Sequence, residues 1–83
     1  MFILFESTPE LFLDAVVQKV KQERIKRDIS QLKLSQILEF NSPNYVAKIE
    51  TRKHNVSYNL THLCKIADAF GVEVVELLPT GSK

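Results

Sequence analysis

Residues 29–50 read ISQLKLSQILEFNSPNYVAKIE, and the fold turns on how this stretch divides. Ser30 precedes Gln31, with Leu34, Ile37 and Leu38 following at helical spacing, so a hydroxyl is placed to cap a short helix from Gln31 to about Leu38. Ser42-Pro43 repeats the signal: a capping hydroxyl, then a residue with φ already fixed and no N–H to leave unpaired. A second short helix then runs from Pro43 to about Thr51. Val46 and Ile49 form its apolar stripe, with Tyr45 beside them, whereas Asn44, Ala47 and Lys48 fall on another face that is small or polar. A helix this short is not stable alone. Its apolar stripe has to be held by the rest of the chain, which leaves the Asn44, Ala47 and Lys48 face free for something else.

Upstream, Thr8-Pro9-Glu10 is another cap-then-proline start, opening a helix to about Arg27 with Leu13, Val17, Val20 and Arg24 along one side. Leu11, Phe12, Ala15 and Val16 widen its apolar surface beyond that stripe, so MFILF (residues 1–5) or a second subunit is expected to cover the excess. Downstream, RKHNVSY (residues 52–58) has no clear period and reads as a loop. Asn59 caps a fourth helix, LTHLCKIADAF, whose core stripe is Leu60, Leu63, Ile66 or Ala67, and Phe70. Gly71 follows where a left-handed residue is wanted. Glu73 to Leu78 makes a short fifth helix, stopped by Pro79. With two glycines and no strand-like alternation, the expected architecture is all-α: a five-helix bundle over residues 9–79, an N-terminal extension over 1–8 and a tail over 80–83.

A chain of 83 residues is one domain with a small core. Cys64 is the single cysteine, so there is no intrachain disulfide framework, and a reducing cytoplasm is the expected location. MFILF is too short for a secretory apolar region and runs into Glu6, so neither a signal peptide nor a transmembrane span is expected. Net charge is only +1, but it is unevenly spread. Residues 19–53 carry nine basic groups against four acidic ones, and the rest of the chain is net negative. A basic stretch within a near-neutral chain is the footprint of a phosphate-facing surface; helix faces carrying lysine for solubility produce the same asymmetry.

Two short helices joined by a tight connection inside a bundle make the arrangement of a helix-turn-helix. Around it the ordered motifs resemble the lambda-repressor/Cro-type (XRE-like) DNA-binding domain. Ile29-Ser30-Gln31 with Leu34-Ser35 matches that family's L-[ST]-Q-x-x-L-A. Ser42, Tyr45, Val46, Ile49 and Glu50 match S-x-x-Y-[IV]-x-x-[IL]-E. Leu63, Ile66, Ala67, Ala69 and Phe70 match its later helix, and Glu76-Leu77-Leu78 its E-L-L ending. The likeness spans roughly residues 13–79. Three departures stand out: Ser35 in place of alanine, a Leu38–Asn41 turn with no glycine and one residue more than usual, and Thr51-Arg52 in place of a glycine-containing pair. Asn41 is the expected left-handed residue of that turn.

The resemblance implies a DNA-binding site, residue by residue. Gln31 is expected to donate to a phosphate or to steady a side chain of the recognition helix; as a structural residue it makes a second capping contact. Ser42 and Pro43 expose first-turn N–H groups of that helix. Asn44 suits a bidentate pair with adenine, Ala47 an apolar contact with a thymine methyl, and Lys48 guanine or a phosphate. Tyr45 packs at the bundle edge with its hydroxyl available to a phosphate, and Arg52, Lys53 and His54 follow where the family's loop touches the DNA backbone. Arg24 and Glu50 occupy positions of a structural ion pair that fixes the recognition helix.

The implied function is transcription regulation, most naturally repression, by a homodimer on double-stranded DNA, with residues 1–5 and the Leu11, Phe12 and Ala15 surface as the dimer contact. The alternative is a protein-interaction module, such as an antitoxin with a toxin partner. No catalytic set, cofactor motif or metal site is expected. His62 and Cys64 lie two residues apart on one helix and so point in opposing directions, and neither a glycine-rich phosphate loop nor a Ser/His/Asp ordering is present.

Overall fold

The structure, a computed structural model, describes residues 9–42, 44–52 and 56–79. Four α-helices are followed by one turn of 3-10 helix: α1 Pro9–Lys26, α2 Gln31–Ile37, α3 Tyr45–Thr51, α4 Leu60–Phe70, and the 3-10 turn Val74–Leu77. No strand occurs among the described residues. The all-α class stands, although the expected fifth helix is only the 3-10 turn, too short to bury a face of its own beyond Leu77. The expected capping residue Thr8, the MFILF segment and the tail after Pro79 lie outside the described residues, as do Pro43, Lys53, His54 and Asn55.

The core is drawn from every element. Val16, Val17 and Val20 of α1, Leu34 and Leu38 around α2, Val46 and Ile49 of α3, Leu63, Ile66, Ala67 and Phe70 of α4, and Leu77 of the last turn are all buried, together with Tyr58. Truncating a residue such as Leu34 or Ile66, with no exposed surface at all, would cost about 2–5 kcal/mol. The broad apolar face of α1 is largely satisfied within the domain: Val16 is buried and Phe12 packs on the core, while Leu11 stays 50% exposed. Of the stripe expected on α4, Leu60 is a correction. It sits in the first turn, outside the contact between α4 and the rest of the bundle, and is 74% exposed. Ile66 and Ala67 are both buried, so the stripe on α4 is wider than one line.

Helix ends explain the tight packing of so short a chain. The Ser30 side chain accepts the Lys33 N–H at the start of α2. Asn59 accepts the His62 N–H, and His62 Nδ1 in turn accepts the Asn59 N–H at 3.2 Å, closing a reciprocal cap on α4. All four α-helices then end in a left-handed residue: Asp28 (φ 58°), Glu39 (φ 61°), Arg52 (φ 57°) and Gly71 (φ 72°). Asn41, expected to take that conformation in the turn after α2, does not; Glu39 does. The reason lies in the hydrogen bonds. Phe40 N–H donates to the Ser35 carbonyl (3.0 Å) and Glu39 N–H to that of Gln36 (3.1 Å), the pair of bonds that closes a helix on a left-handed residue at position 39.

The start of α3 also differs from expectation. It begins at Tyr45 rather than Pro43, with Asn44 as the residue before its first turn. Ser42 does not cap the helix body. Its Oγ accepts the Asn44 N–H (3.2 Å) and its carbonyl accepts the Tyr45 N–H (3.2 Å), so it closes a turn leading into the helix.

Candidate functional site

α3 is seven residues long and is held in three places. Val46 and Ile49 sink into the core with no exposed surface. At its C-terminal side, Glu50 is gripped by donors from two other helices. Arg24 of α1 makes a two-pronged contact, Nε to Oε2 at 2.8 Å and Nη2 to Oε1 at 3.1 Å. Gln31, the first residue of α2, donates Nε2 to Oε1 at 2.8 Å. The carboxylate is only 2% exposed and the Arg24 side chain 11%. Arg24 Nη1 turns to the Ile29 carbonyl (2.7 Å), so the guanidinium also ties down the start of the connection to α2. Here a planar fork meets a carboxylate and a backbone oxygen at once, which lysine has no geometry to do. Thus Gln31 steadies Glu50, one of the two roles expected of it.

The N-terminal side of α3 is held by rings. Phe40, the residue after the left-handed Glu39, meets Tyr45 edge-on at 4.6 Å between centroids and His62 of α4 at 5.0 Å. His62 in turn meets Tyr58 at 6.2 Å. Such T-shaped pairs are favoured by the quadrupoles of the rings and add to simple burial. The turn without glycine therefore supplies a large side chain that spans α2, α3 and α4. Burial and then the charge on Lys65 push the His62 imidazole below its ordinary range, which suits a ring whose Nδ1 has to accept a hydrogen bond. Burial likewise pushes the Tyr58 phenol far above its ordinary range, with Glu50 adding to the effect and Arg24 opposing it.

With its inner side engaged, α3 presents the remainder to solvent. Asn44 and Lys48 are exposed, and the Asn44 carboxamide makes no cap bond to the helix. Ala47 between them is half-buried, as is Tyr45. Ser42, Lys33 and Gln36 are exposed on the neighbouring turn and helix.

Arg52 is placed differently from expectation. Its side chain is 14% exposed, with Nε donating to Asp14 Oδ1 of α1 at 2.6 Å and Nη1 to the Val56 carbonyl. Arg27 is also committed: it pairs with Glu23, donates to the Phe70 carbonyl (3.3 Å) and lies 5.0 Å from the Phe70 ring centroid. That contact holds the Glu23 carboxyl below its ordinary range, with burial opposing and Lys19 and Lys26 reinforcing it. All three arginines of the chain are therefore in internal ion pairs, and among the described residues of α3 the exposed positive charge is that of Lys48. Asp14 gave a faint signal in the sequence, being the one charge within the apolar run Leu11–Val17.

Among the described residues no group of three histidine, cysteine or carboxylate side chains is placed to hold a metal ion, and no helix is long and apolar enough to cross a membrane. A helix-turn-helix family model matches residues 20–77, from the middle of α1 to the last 3-10 turn. Comparison with curated proteins gives no match. Among solved structures the chain is similar to the crystal structure of a hypothetical transcription factor, NHTF, from Neisseria. The two are 26% identical, with a TM-score of 0.65 over 94% of this chain and 87% of that one.

Proposed function

This chain belongs to the lambda-repressor/Cro-type helix-turn-helix family, and on that premise we propose that it is a sequence-specific transcriptional regulator, most simply a repressor, whose α3 reads the major groove of DNA. Family membership and the likeness to a transcription factor support a DNA-binding regulator. The observation that carries the finer reading is the division of labour on α3. Val46, Ile49 and Glu50 are spent on the bundle, and Asn44 and Lys48 remain exposed on one outward face. A carboxamide there has the donor–acceptor pair that matches adenine N6 and N7, and the Lys48 ammonium is a point charge suited to guanine or phosphate. Ser42 and Tyr45, and with them Pro43, Lys53 and His54, are proposed to extend this face on the strength of their positions in the sequence. Gln31 and Arg24–Glu50 act behind it, by fixing its aim.

A helix of seven residues reads few base pairs, so two copies on a two-fold symmetric site is the natural arrangement. Residues 1–5, with the Leu11, Phe12 and Ala15 surface of α1, are proposed as the homodimer contact. The protein-interaction alternative, an antitoxin bound to a toxin, predicts a co-purifying partner and no sequence preference on DNA.

The test is titration of a selected duplex with two variants. Asn44→Ala should lose about 1–3 kcal/mol of discrimination at one base pair of each half-site. Lys48→Ala should weaken selected and random duplexes alike if it meets phosphate, and lower the slope of log affinity against log salt by about 0.9. Unchanged binding in both variants would refute the assignment of this face.

A further inference from the structure

Arg52 stands directly after the recognition helix, where a basic side chain is naturally assigned to a phosphate. We infer a different role, resting on the DNA-binding reading above: Arg52 and Asp14 form a clamp that positions α3, and the Arg52 charge is not part of the phosphate-binding surface. The geometry points this way. Arg52 takes the left-handed conformation (φ 57°, ψ 25°) and closes α3 by donating its N–H to the Ile49 carbonyl. That conformation opposes any residue with a Cβ, so a side chain kept there has to be held by its surroundings.

Here it is held on two sides. Nε meets Asp14 Oδ1 at 2.6 Å, in the N-terminal half of α1, and Nη1 meets the Val56 carbonyl beyond the loop. The side chain is 14% exposed, against 50% for Asp14, so the guanidinium lies inward and its partner forms the rim. The contact joins the end of α3 to α1 and to the segment leading into α4. It complements the Arg24–Glu50–Gln31 grip two residues earlier, and together they fix both the tilt and the rotation of a helix only seven residues long. Two of its five N–H groups are engaged by a carboxylate and a carbonyl, the side chain is largely buried, and swinging it out to a phosphate would require breaking the Asp14 contact.

The two roles separate cleanly in binding measurements on the full chain, using a duplex selected by the wild-type protein and a random duplex, each at several salt concentrations. Arg52→Gly suits the backbone at this position and so preserves folding, which thermal melting checks. Asp14→Asn removes the partner charge from a half-exposed site. For a clamp, both variants lose affinity for the selected duplex, about fivefold or more, by similar factors. The double variant is no worse than either single one, and the salt slope stays at its wild-type value. The charge-exchanged pair, Asp14→Arg with Arg52→Asp, recovers part of the loss. A phosphate contact behaves otherwise: Arg52→Gly lowers the slope by about 0.9 and weakens the random duplex equally, while Asp14→Asn binds as tightly as the wild type or tighter. That pattern overturns the clamp, as does wild-type selectivity in a folded Asp14→Asn variant. Wild-type protein that selects no duplex overturns the DNA reading itself, and the clamp's role in recognition with it.

Discussion

At the scale of single residues, Glu50 has the most demanding position in the molecule. Its carboxylate is almost fully buried and depends on three donors, two from Arg24 and one from Gln31. Removing one member of a buried pair leaves the other charge uncompensated, a loss of about 3–5 kcal/mol. For a domain whose total stability is on the order of 5–15 kcal/mol, that is a large share. We predict that Glu50→Ala shifts the urea midpoint steeply downward and weakens DNA binding indirectly, by unfolding or loosening the domain that aims α3; an unchanged midpoint counts against this account. His62 makes a pH prediction. Its imidazole accepts the Asn59 N–H and is pushed below the ordinary value by burial, then by Lys65. A base held below its unfolded pKa adds stability that is complete above about pH 6.5 and is lost as pH falls through the folded value. Melting temperature should therefore decline on acidification from pH 7 toward pH 5, and His62→Gln should flatten that decline. An equal decline in the variant would place its origin elsewhere.

At the scale of elements, the four helix ends carry the lesson. Gly71 announced its left-handed role because glycine is the residue that adopts it without strain. Asp28, Glu39 and Arg52 do the same without any compositional sign, since neighbouring hydrogen bonds and packing impose the conformation. Composition therefore points to Asn41 in the turn before α3 where the structure uses Glu39, and to a start of α3 two residues early, because the Ser-Pro signal marks a turn entering the helix as readily as the helix itself. The Arg24–Glu50 pair and the stripe of Val46 and Ile49 were legible, the first from the family resemblance and the second from spacing. The Asp14–Arg52 contact was not, because it joins residues 38 apart through a backbone twist that spacing does not encode. Glu39 offers the test at this scale. Glu39→Gly relieves the left-handed strain but adds freedom to the unfolded chain, and the balance favours the variant by about 0.5–1 kcal/mol. A small rise in melting temperature is the expected result; a fall would mean that Glu39 contributes through its side chain, for example through Lys65 at 3.9 Å.

At the scale of the whole molecule, the bundle works as a mount. Arg24 and Arg52 are turned inward to hold α3, Arg27 joins α1 to the end of α4, and the face proposed for DNA carries the exposed Asn44 and Lys48. Such a surface gives modest, salt-sensitive affinity per copy, with sequence preference concentrated in a few positions. Doubling the site is the direct remedy. Deleting residues 1–6 should accordingly lower the solution mass from dimer to monomer and reduce operator affinity, whereas an unchanged mass would remove that segment from the interface. The central claim is that the outward face of α3 selects DNA by sequence, and the most direct measurement is selection of duplexes from a random pool at two salt concentrations. The account predicts one enriched two-fold symmetric motif at both, with total binding falling steeply at the higher salt and the motif degraded at one base pair per half-site by Asn44→Ala. A pool that stays random at both concentrations would contradict it.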